Sequence, residues 1–219
     1  MKNILLLVVL MVFGTIATAA QERDRDQNRD QDRLMLVDGD VLQIRDRDQI
    51  RLQNRVTLSD GTVLNADGTY QTKDKKKLKL KNGQCLDMNG EVYQNEYQYR
   101  KMMQKENKGL TKEQIREKNQ NRFHYMLVDG QVIQIQNQSQ FKLQNQLKLG
   151  NGTVVNPDGS YQTRLKKQLR LQEGECLTMD GDMFKNTYQH RKKLAKKNKL
   201  SKKAIKKHKV NKKTMKKGN

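Results

Sequence analysis

The chain contains no tryptophan, and aromatic residues make up only 5% of its 219 residues. Its mean hydropathy is −1.03, and charged residues account for 32% of the sequence. Such a composition leaves little apolar area to bury per residue. We therefore expect small, shallow cores instead of one large core.

A long apolar run is absent everywhere except at the N-terminus. Residues 1–20, "MKNILLLVVLMVFGTIATAA", combine a charged start, an apolar centre from Ile4 to Phe13 and small residues at a cleavage site. The apolar centre is too short to span a bilayer as a stable helix, and this order of features is typical of a signal peptide. We predict cleavage near Ala20 and export of a mature chain to the periplasm or beyond the cell.

Apolar residues are also missing from the next segment, "QERDRDQNRDQDR", which covers residues 21–33. Its charges alternate in sign and leave nothing apolar to bury. We predict a disordered polyampholyte without a binding role.

Acidic residues are absent from Met183 to Asn219, where sixteen lysines and arginines lie. Much of the formal net charge of +21 is therefore concentrated in this basic tail. Repeated like charges weaken a helix, so we expect its last twenty residues to fray until an anion binds. The lysines predicted to bind a polyanion are Lys192, Lys193, Lys196, Lys197, Lys202, Lys203, Lys206 and Lys207.

Several anionic partners fit such a tail in an exported protein: anionic lipid or lipopolysaccharide, acidic polysaccharide, and extracellular DNA. The tail has no aromatic residue after Tyr188 on which bases could stack, which disfavours a dedicated nucleic-acid module. In the alternative interpretation, the tail binds nothing and only keeps the protein soluble.

The chain between these ends is a tandem duplication with a period of 91 residues. Met35 to Lys101 aligns without a gap to Met126 to Lys192, and 36 of these 67 pairs are identical. The matched residues include Cys, Tyr, Met and Gly, so low complexity does not explain the identity.

Each copy is divided by Asp-Gly, Asn-Gly or Glu-Gly dipeptides into short runs such as "TVLN", "TYQT" and "CLDM". These dipeptides favour hairpin turns in which both central residues have positive φ. In "KLKLK" the alternation predicts that Leu78 and Leu80 face inward. We therefore predict a mainly β protein: two small antiparallel β-meander modules, each followed by a short helical pair.

The helical pairs are predicted from residues 95 to 120 and from 186 to 213. Thr111 and Ser201 are candidate N-caps, and Gln114 completes a capping box in the first copy. The full predicted organisation is a signal peptide at 1–20, a disordered segment at 21–33, β-modules at 34–94 and 125–185, a helical linker at 95–121, and the basic tail at 186–219.

The strings "MLVDGDVLQI", "VTLSDGTVLNADGTYQTKD" and "LKLKNGQCLDMNGEV", with their second copies, resemble an exported bacterial domain of the Bacteroidetes type, domain of unknown function 6799. The resemblance covers about 60 residues of each repeat and nothing of the tail. It implies export and a β-rich repeat, and it implies no activity.

The only two cysteines, Cys85 and Cys176, lie at equivalent positions in "CLDM" and "CLTM". They fit a disulfide in an oxidising compartment if the two strands are adjacent about a pseudo-twofold axis. They also fit a soft-metal site in which Met88 and Met179 add sulfur ligands for Cu(I), the only cofactor alternative. The third alternative is a pair of small buried thiols.

Catalytic constellations are missing from the sequence. The three histidines do not recur at equivalent positions of the two copies, and no Ser-His-acid set, catalytic carboxylate pair or CxxC motif is present. We predict an exported, non-enzymatic binding or structural protein of the cell envelope whose tail contacts anionic surfaces, with copper handling as the alternative function.

Overall fold

The structure, a computed structural model, describes residues 32–120 and 122–197. The predicted signal peptide, residues 21–31 and the tail from residue 198 onward lie outside these ranges. Within them, no helix is long and apolar enough to cross a membrane.

Each copy contributes eight strands to the fold. The first copy contains β1 Arg33–Val37, β2 Asp40–Arg51, β3 Val56–Thr57, β4 Val63–Leu64, β5 Thr69–Gln71, β6 Lys77–Lys79, β7 Cys85–Asp87 and β8 Val92–Tyr93. The second contains β9 Phe123–Val128, β10 Gln131–Lys142, β11 Leu147–Lys148, β12 Val154–Val155, β13 Ser160–Gln162, β14 Gln168–Arg170, β15 Cys176–Thr178 and β16 Met183–Phe184.

Helices follow the strands of each copy, as predicted. The first copy continues into α1, Glu96–Glu106, and α2, Lys112–Gln120. The second continues into α3, residues 187–197, which corresponds to α1. The predicted mainly β class with helical extensions is confirmed.

The two copies exchange strands in an eight-stranded antiparallel sheet. Its order is β16-β15-β1-β2-β10-β9-β7-β8. The β1–β2 hairpin of the first copy therefore pairs with β15 and β10 of the second, while β9 of the second pairs with β7 of the first. The modules are interlocked, which allows each copy to complete the small core of the other.

A pseudo-twofold axis crosses the centre of this sheet. Asp46 of β2 lies opposite Asn137 of β10, and these two residues are equivalent in the 91-residue alignment. Directly opposed residues of antiparallel strands point to the same face. Asp46 contacts Arg100 of α1 and Asn137 contacts Tyr99 of α1, so this is the helix face for both copies.

The opposite face of the sheet carries two four-stranded sheets, ordered β3-β4-β5-β6 and β11-β12-β13-β14. Each forms an apolar core with strands from the other copy. Leu34, Leu36 and Val41 of the first copy pack with Val155 and Tyr161 of the second. Conversely, the β3–β6 sheet packs against the β9–β10 hairpin. The molecule thus has three layers: helices, the large sheet, and two small sheets side by side.

The helix starts follow their capping sequences. The backbone N–H of Gln114 donates to Thr111 Oγ1 at 3.3 Å, and that of Thr111 donates to Gln114 Oε1 at 2.9 Å. The predicted capping box is therefore present. Asn95 caps α1 through a bond of 3.0 Å from the Gln98 N–H. Ser201 lies outside the described residues.

The turn prediction is correct at the position of the turns and only partly correct in their type. Asp38 and Asp129 have positive φ together with the glycines that follow them. At the other eight dipeptides only the glycine has positive φ. There, side chains such as Asp60 and Asp67 accept hydrogen bonds from the backbone two residues later, which stabilises a different turn.

Two local predictions are wrong. Leu80 is buried, but Leu78 is 47% exposed because β6 is the edge strand of its small sheet. The sequence predicts that Arg33 belongs to the disordered segment, yet it begins β1 and is fully buried. Its guanidinium is paired with carboxylates, which removes the penalty that an unpaired buried charge would bring.

Candidate functional site

Six ionisable side chains meet between the large sheet and the helices, on the pseudo-twofold axis. We call this set the buried ion cluster: Arg33 of β1, Asp46 of β2, Glu96 and Arg100 of α1, His124 of β9, and Arg191 of α3. The side chains of all six have no exposed surface. The buried ion cluster therefore joins the two copies to each other and the helix layer to the large sheet.

Two carboxylates accept hydrogen bonds from three guanidiniums in the cluster. Asp46 accepts from Arg33 Nη1 at 2.6 Å, from Arg100 Nη2 at 2.8 Å and from Arg191 Nη2 at 2.5 Å. Glu96 Oε1 accepts from Arg33 Nη2, from Arg100 Nη2 at 2.7 Å and from Arg191 Nη2 at 3.1 Å. Each carboxylate thus bridges all three arginines.

The cluster is asymmetric although the fold is pseudo-symmetric. The 91-residue alignment pairs Arg33 with His124, Asp46 with Asn137, Glu96 with Thr187, and Arg100 with Arg191. Both carboxylates come from the first copy, and only the helix arginine is the same in both. Arg191 of the second copy is therefore paired with two carboxylates of the first.

Burial and charge oppose each other in the cluster. Burial alone would raise the pKa of Glu96, but the guanidiniums of Arg191, Arg33 and Arg100 outweigh it and hold that pKa well below its usual range. The pKa of Asp46 is lowered by the same balance. Burial lowers the pKa of His124 to about 3, so its imidazole is neutral at neutral pH. The arrangement is suited to holding helices from both copies against the sheet.

His124 makes the stability of the protein dependent on pH. Its pKa is about 3 in the folded chain and about 6.5 when unfolded. Between these values the unfolded chain binds more protons, so stability falls as pH falls. We expect His124 to account for about 2–3 kcal/mol of destabilisation between pH 7 and pH 4.5. Urea unfolding at both pH values, compared with His124→Gln, measures this contribution.

The two carboxylates give this experiment an internal reference. Because their pKa values are lowered, their stabilisation is present at neutral pH and is lost at lower pH than that of His124. The His124→Gln variant should keep this acid-induced loss below about pH 4. An equal fall in stability between pH 7 and pH 4.5 in both proteins would contradict the assignment to His124.

The cysteines lie far apart in the large sheet. Cys176 of β15 and Cys85 of β7 are separated by β1, β2, β10 and β9, or about 24 Å at the usual strand spacing. Both are free and buried. The strands are related by the pseudo-twofold axis but are not adjacent, so an internal disulfide is not part of this fold.

The sulfur atoms are also not arranged as the copper alternative requires. Cys176 packs with Met35 on the helix face, whereas Met179 packs with Leu34 in the core beneath a small sheet. Burial raises the pKa of the Cys176 thiol to about 11 and that of Cys85 well above its usual range, which disfavours the thiolate that binds metals. Met88 is half-buried beside β7. Across the described ranges, no three His, Cys, Asp or Glu side chains are grouped to hold a metal ion.

The lysines predicted to bind polyanions fall in two groups. Lys192 Nζ is 2.9 Å from Asp129 and Lys193 Nζ is 2.5 Å from Asp182. Lys196 and Lys197 are the last two described residues of α3. The remaining four, Lys202, Lys203, Lys206 and Lys207, lie outside the described residues.

Two hairpins of the small sheets each carry more exposed cations than α3, which has three in its described residues. We call them the basic hairpins. The β5–β6 hairpin and its flanks contain six exposed lysines and one acid, Asp74: Lys73, Lys75, Lys76, Lys77, Lys79 and Lys81. The β13–β14 hairpin contains four exposed cations and no acid: Arg164, Lys166, Lys167 and Arg170. Both small sheets lie on the same face of the large sheet, opposite the helices.

The structural duplication agrees with the family comparison. Residues 31–92 and 122–183 each match the family described as Domain of unknown function (DUF6799). Together these segments cover more than half of the chain. The chain belongs to this family. The comparisons with curated proteins and with solved structures found no match.

The DUF6799 segments supply only part of the buried ion cluster. Both end before α1 and α3 begin, so Glu96, Arg100 and Arg191 come from outside the matched residues. Sequence reasoning missed the cluster because charged residues are usually exposed. One signal was available: Arg100 and Arg191 stand at corresponding positions in "YRK" and "HRK", although six of the eleven aligned helix residues differ.

Proposed function

We propose that this DUF6799 protein is an exported, non-enzymatic binding or structural component of the cell envelope that contacts anionic surfaces. The observation that carries the proposal is the pair of basic hairpins on one face of the molecule. Their ten cations are exposed, and the described residues provide no ion pair to any of them.

A flat anionic surface fits this arrangement better than a small ligand does. Each basic side chain near an anionic membrane contributes about 1 kcal/mol of attraction. Several lysines acting together give strong association that weakens steeply with salt. Because both hairpins lie on the face opposite the helices, one surface can contact both.

The tip of the second hairpin favours lipid over a polymer. Leu165 is 88% exposed between Arg164 and Lys166, and its counterpart in the first copy is Asp74. An exposed apolar side chain flanked by cations can enter the interface of a bilayer while the charges stay at the headgroups. We therefore assign anionic lipid as the preferred surface.

The basic tail adds to this proposal. Sixteen cations without an acid, from Met183 onward, extend the positive charge beyond the hairpins. In the buried ion cluster the carboxylates are fully engaged by arginines. These observations support a binding role over an enzymatic one.

Vesicle co-sedimentation tests the proposal. Residues 21–219 are mixed with phosphatidylglycerol–phosphatidylcholine vesicles across a salt series, beside the variant Lys75→Gln/Lys76→Gln/Lys77→Gln. At about 1 kcal/mol per lysine, the triple variant should bind about 100-fold more weakly at low salt. A separate truncation must end after Lys197, because α3 contributes Arg191 to the buried ion cluster.

The matched control removes the same charge from the helix face: Lys105→Gln/Lys108→Gln/Lys112→Gln. Its binding should stay within about threefold of the parent, because those lysines face away from the hairpins. Equal losses in both triple variants would contradict a specific hairpin surface. Unchanged binding of Leu165→Ser, together with equal binding to duplex DNA or acidic polysaccharide, would replace lipid by a general polyanion.

The copper alternative has no comparable support. Its thiols are buried, and Cys176 and Met179 contribute to different apolar clusters. It predicts that the mature chain binds more Cu(I) than a Cys85→Ser/Cys176→Ser variant, which a copper titration compares directly.

A further inference from the structure

A cleft of about 600 Å³ opens on the helix face, beside the connection between α1 and α2. Leu42 of β2, with Leu110 and Ile115 around the start of α2, provides apolar side chains to its lining. The capping box of Thr111 and Gln114 fixes the start of α2. The cleft therefore lies between ordered elements and is separate from the basic hairpins.

The mouth of the cleft has unbalanced positive charge. Its two lining carboxylates are already paired: Asp38 with Lys101 at 2.5 Å and Asp40 with Lys142 at 2.6 Å. Three further lining lysines are exposed and form no ion pair in the described part of the chain: Lys105, Lys108 and Lys112. An anion in the cleft would meet these three without displacing an existing partner.

Two buried amides line the same cleft. Asn107 is 8% exposed and Gln140 is 3% exposed, and both belong to the lining. The side-chain oxygen of each lacks a hydrogen-bond partner within the described residues. Buried acceptors without a donor are unfavourable, so a ligand that carries an N–H or O–H group would improve both positions.

The second copy keeps a smaller version of this cleft, about 390 Å³ in volume. In the 91-residue alignment Leu42 corresponds to Ile133, Lys105 to Lys196, and Lys142 to Arg51. All six line their own cleft. The apolar and basic characters are therefore kept in both copies, although nearly half of the aligned residues differ.

We infer that the first cleft binds a small amphiphilic organic anion that also carries a hydrogen-bond donor. The apolar part of the ligand lies against Leu42, Leu110 and Ile115, and the anionic group lies at the mouth beside the three lysines. The donor group is directed to the amide oxygens. The larger volume makes this copy the stronger site.

The probe that matches this chemistry is 8-anilinonaphthalene-1-sulfonate, which has an aromatic body, a sulfonate and an anilino N–H. Its uncharged analogue N-phenyl-1-naphthylamine lacks only the sulfonate. Fluorescence titration of residues 21–219 should show saturable binding of the sulfonate. The variant Lys105→Gln/Lys108→Gln/Lys112→Gln should weaken that binding by about 10-fold or more, since hydrogen bonds to charged groups are lost.

The control variant, Lys75→Gln/Lys76→Gln/Lys77→Gln, removes the same charge from the opposite face and should leave sulfonate binding within about twofold. Binding of the uncharged analogue should be unaffected by either triple variant. A second variant, Gln144→Trp, places a large side chain at the cleft and should abolish binding of both probes. Equal weakening by the two lysine variants, or the absence of saturable binding to the parent chain, would overturn the inference.

Discussion

The Glu96→Gln variant is expected to unfold about 3–5 kcal/mol more easily than the parent protein, because removal of one partner leaves buried charge uncompensated. Glu96 is fully buried and bridges Arg33, Arg100 and Arg191. Without its charge, three guanidiniums lose a carboxylate that contacts all of them. A glutamine has nearly the same shape, so the loss reflects charge and not a cavity.

Urea unfolding at pH 7 measures this effect, with Glu117→Gln as the matched control. Glu117 lies on the exposed side of α2, and surface substitutions of this kind usually change stability by less than about 0.5 kcal/mol. A Glu96→Gln variant as stable as the control would show that the cluster is not a source of stability.

A second substitution tests whether charge balance is the cause. The double variant Glu96→Gln/Arg33→Met removes one positive charge together with the negative one. We expect it to recover at least about 1 kcal/mol relative to the sum of the two single variants, because coupled buried charges are not additive. Strict additivity would mean that each residue acts through its own packing.

Much of the architecture was predictable from local sequence. The 91-residue period, the Asp-Gly turns and the Thr111–Gln114 capping box each depend on residues that are close in the chain. The family resemblance is confirmed over both repeats. Local rules are sufficient here because turns and caps are stabilised by bonds between near neighbours.

The interlocking of the copies was not predictable, and the duplication itself is the reason. Cys85 and Cys176 lie in nearly identical strands, so β1 could pair equally well with β7 or with β15 as far as the sequence shows. Packing of the apolar cores selects one of the two pairings. In the exchanged arrangement the β1–β2 and β9–β10 hairpins each pack on the small sheet of the other copy. Such a choice is made by packing over long distances and leaves no local pattern.

Buried charges were missed for a similar reason. Arg33 is the last residue of a segment of alternating charges. No sequence feature of that segment distinguishes it from the neighbouring charged residues, which are predicted to be exposed. Its burial depends on Asp46, which is 13 residues away, and on Glu96, which is 63 residues away. The basic hairpins share this feature, since they acquire a common face only when both small sheets pack on one side.

The interlocked fold predicts different behaviour for the two halves when they are separated. Residues 21–121 contain β1–β8 with α1 and α2. In the full chain β1 pairs with β15, the counterpart of β7, and β7 pairs with β9, the counterpart of β1. We expect this fragment to form a folded twofold homodimer, with β1 of each copy paired to β7 of the other. Light scattering and concentration-dependent unfolding measure this association.

We expect that residues 122–219 do not form a folded dimer in the same experiment, because of the charge of the buried ion cluster. A dimer of the first copy would place four arginines and four carboxylates at its centre, from Arg33, Arg100, Asp46 and Glu96 of each chain. A dimer of the second copy would bury two Arg191 side chains without the counterparts of Asp46 and Glu96, since Asn137 and Thr187 stand at those positions. The loss of two carboxylates that neutralise buried arginines is strongly destabilising.

Restoring the missing groups should rescue the second half. The variant Asn137→Asp/Thr187→Glu/His124→Arg reproduces the cluster residues of the first copy and should convert residues 122–219 into a folded dimer. Mixing the two unmodified fragments should also restore a folded pair, because the first supplies both carboxylates. A folded monomer of either fragment, or equal dimerisation of both, would contradict this account. The expected asymmetry implies that the second copy folds without these two carboxylates because the first copy, which is covalently attached to it, supplies them.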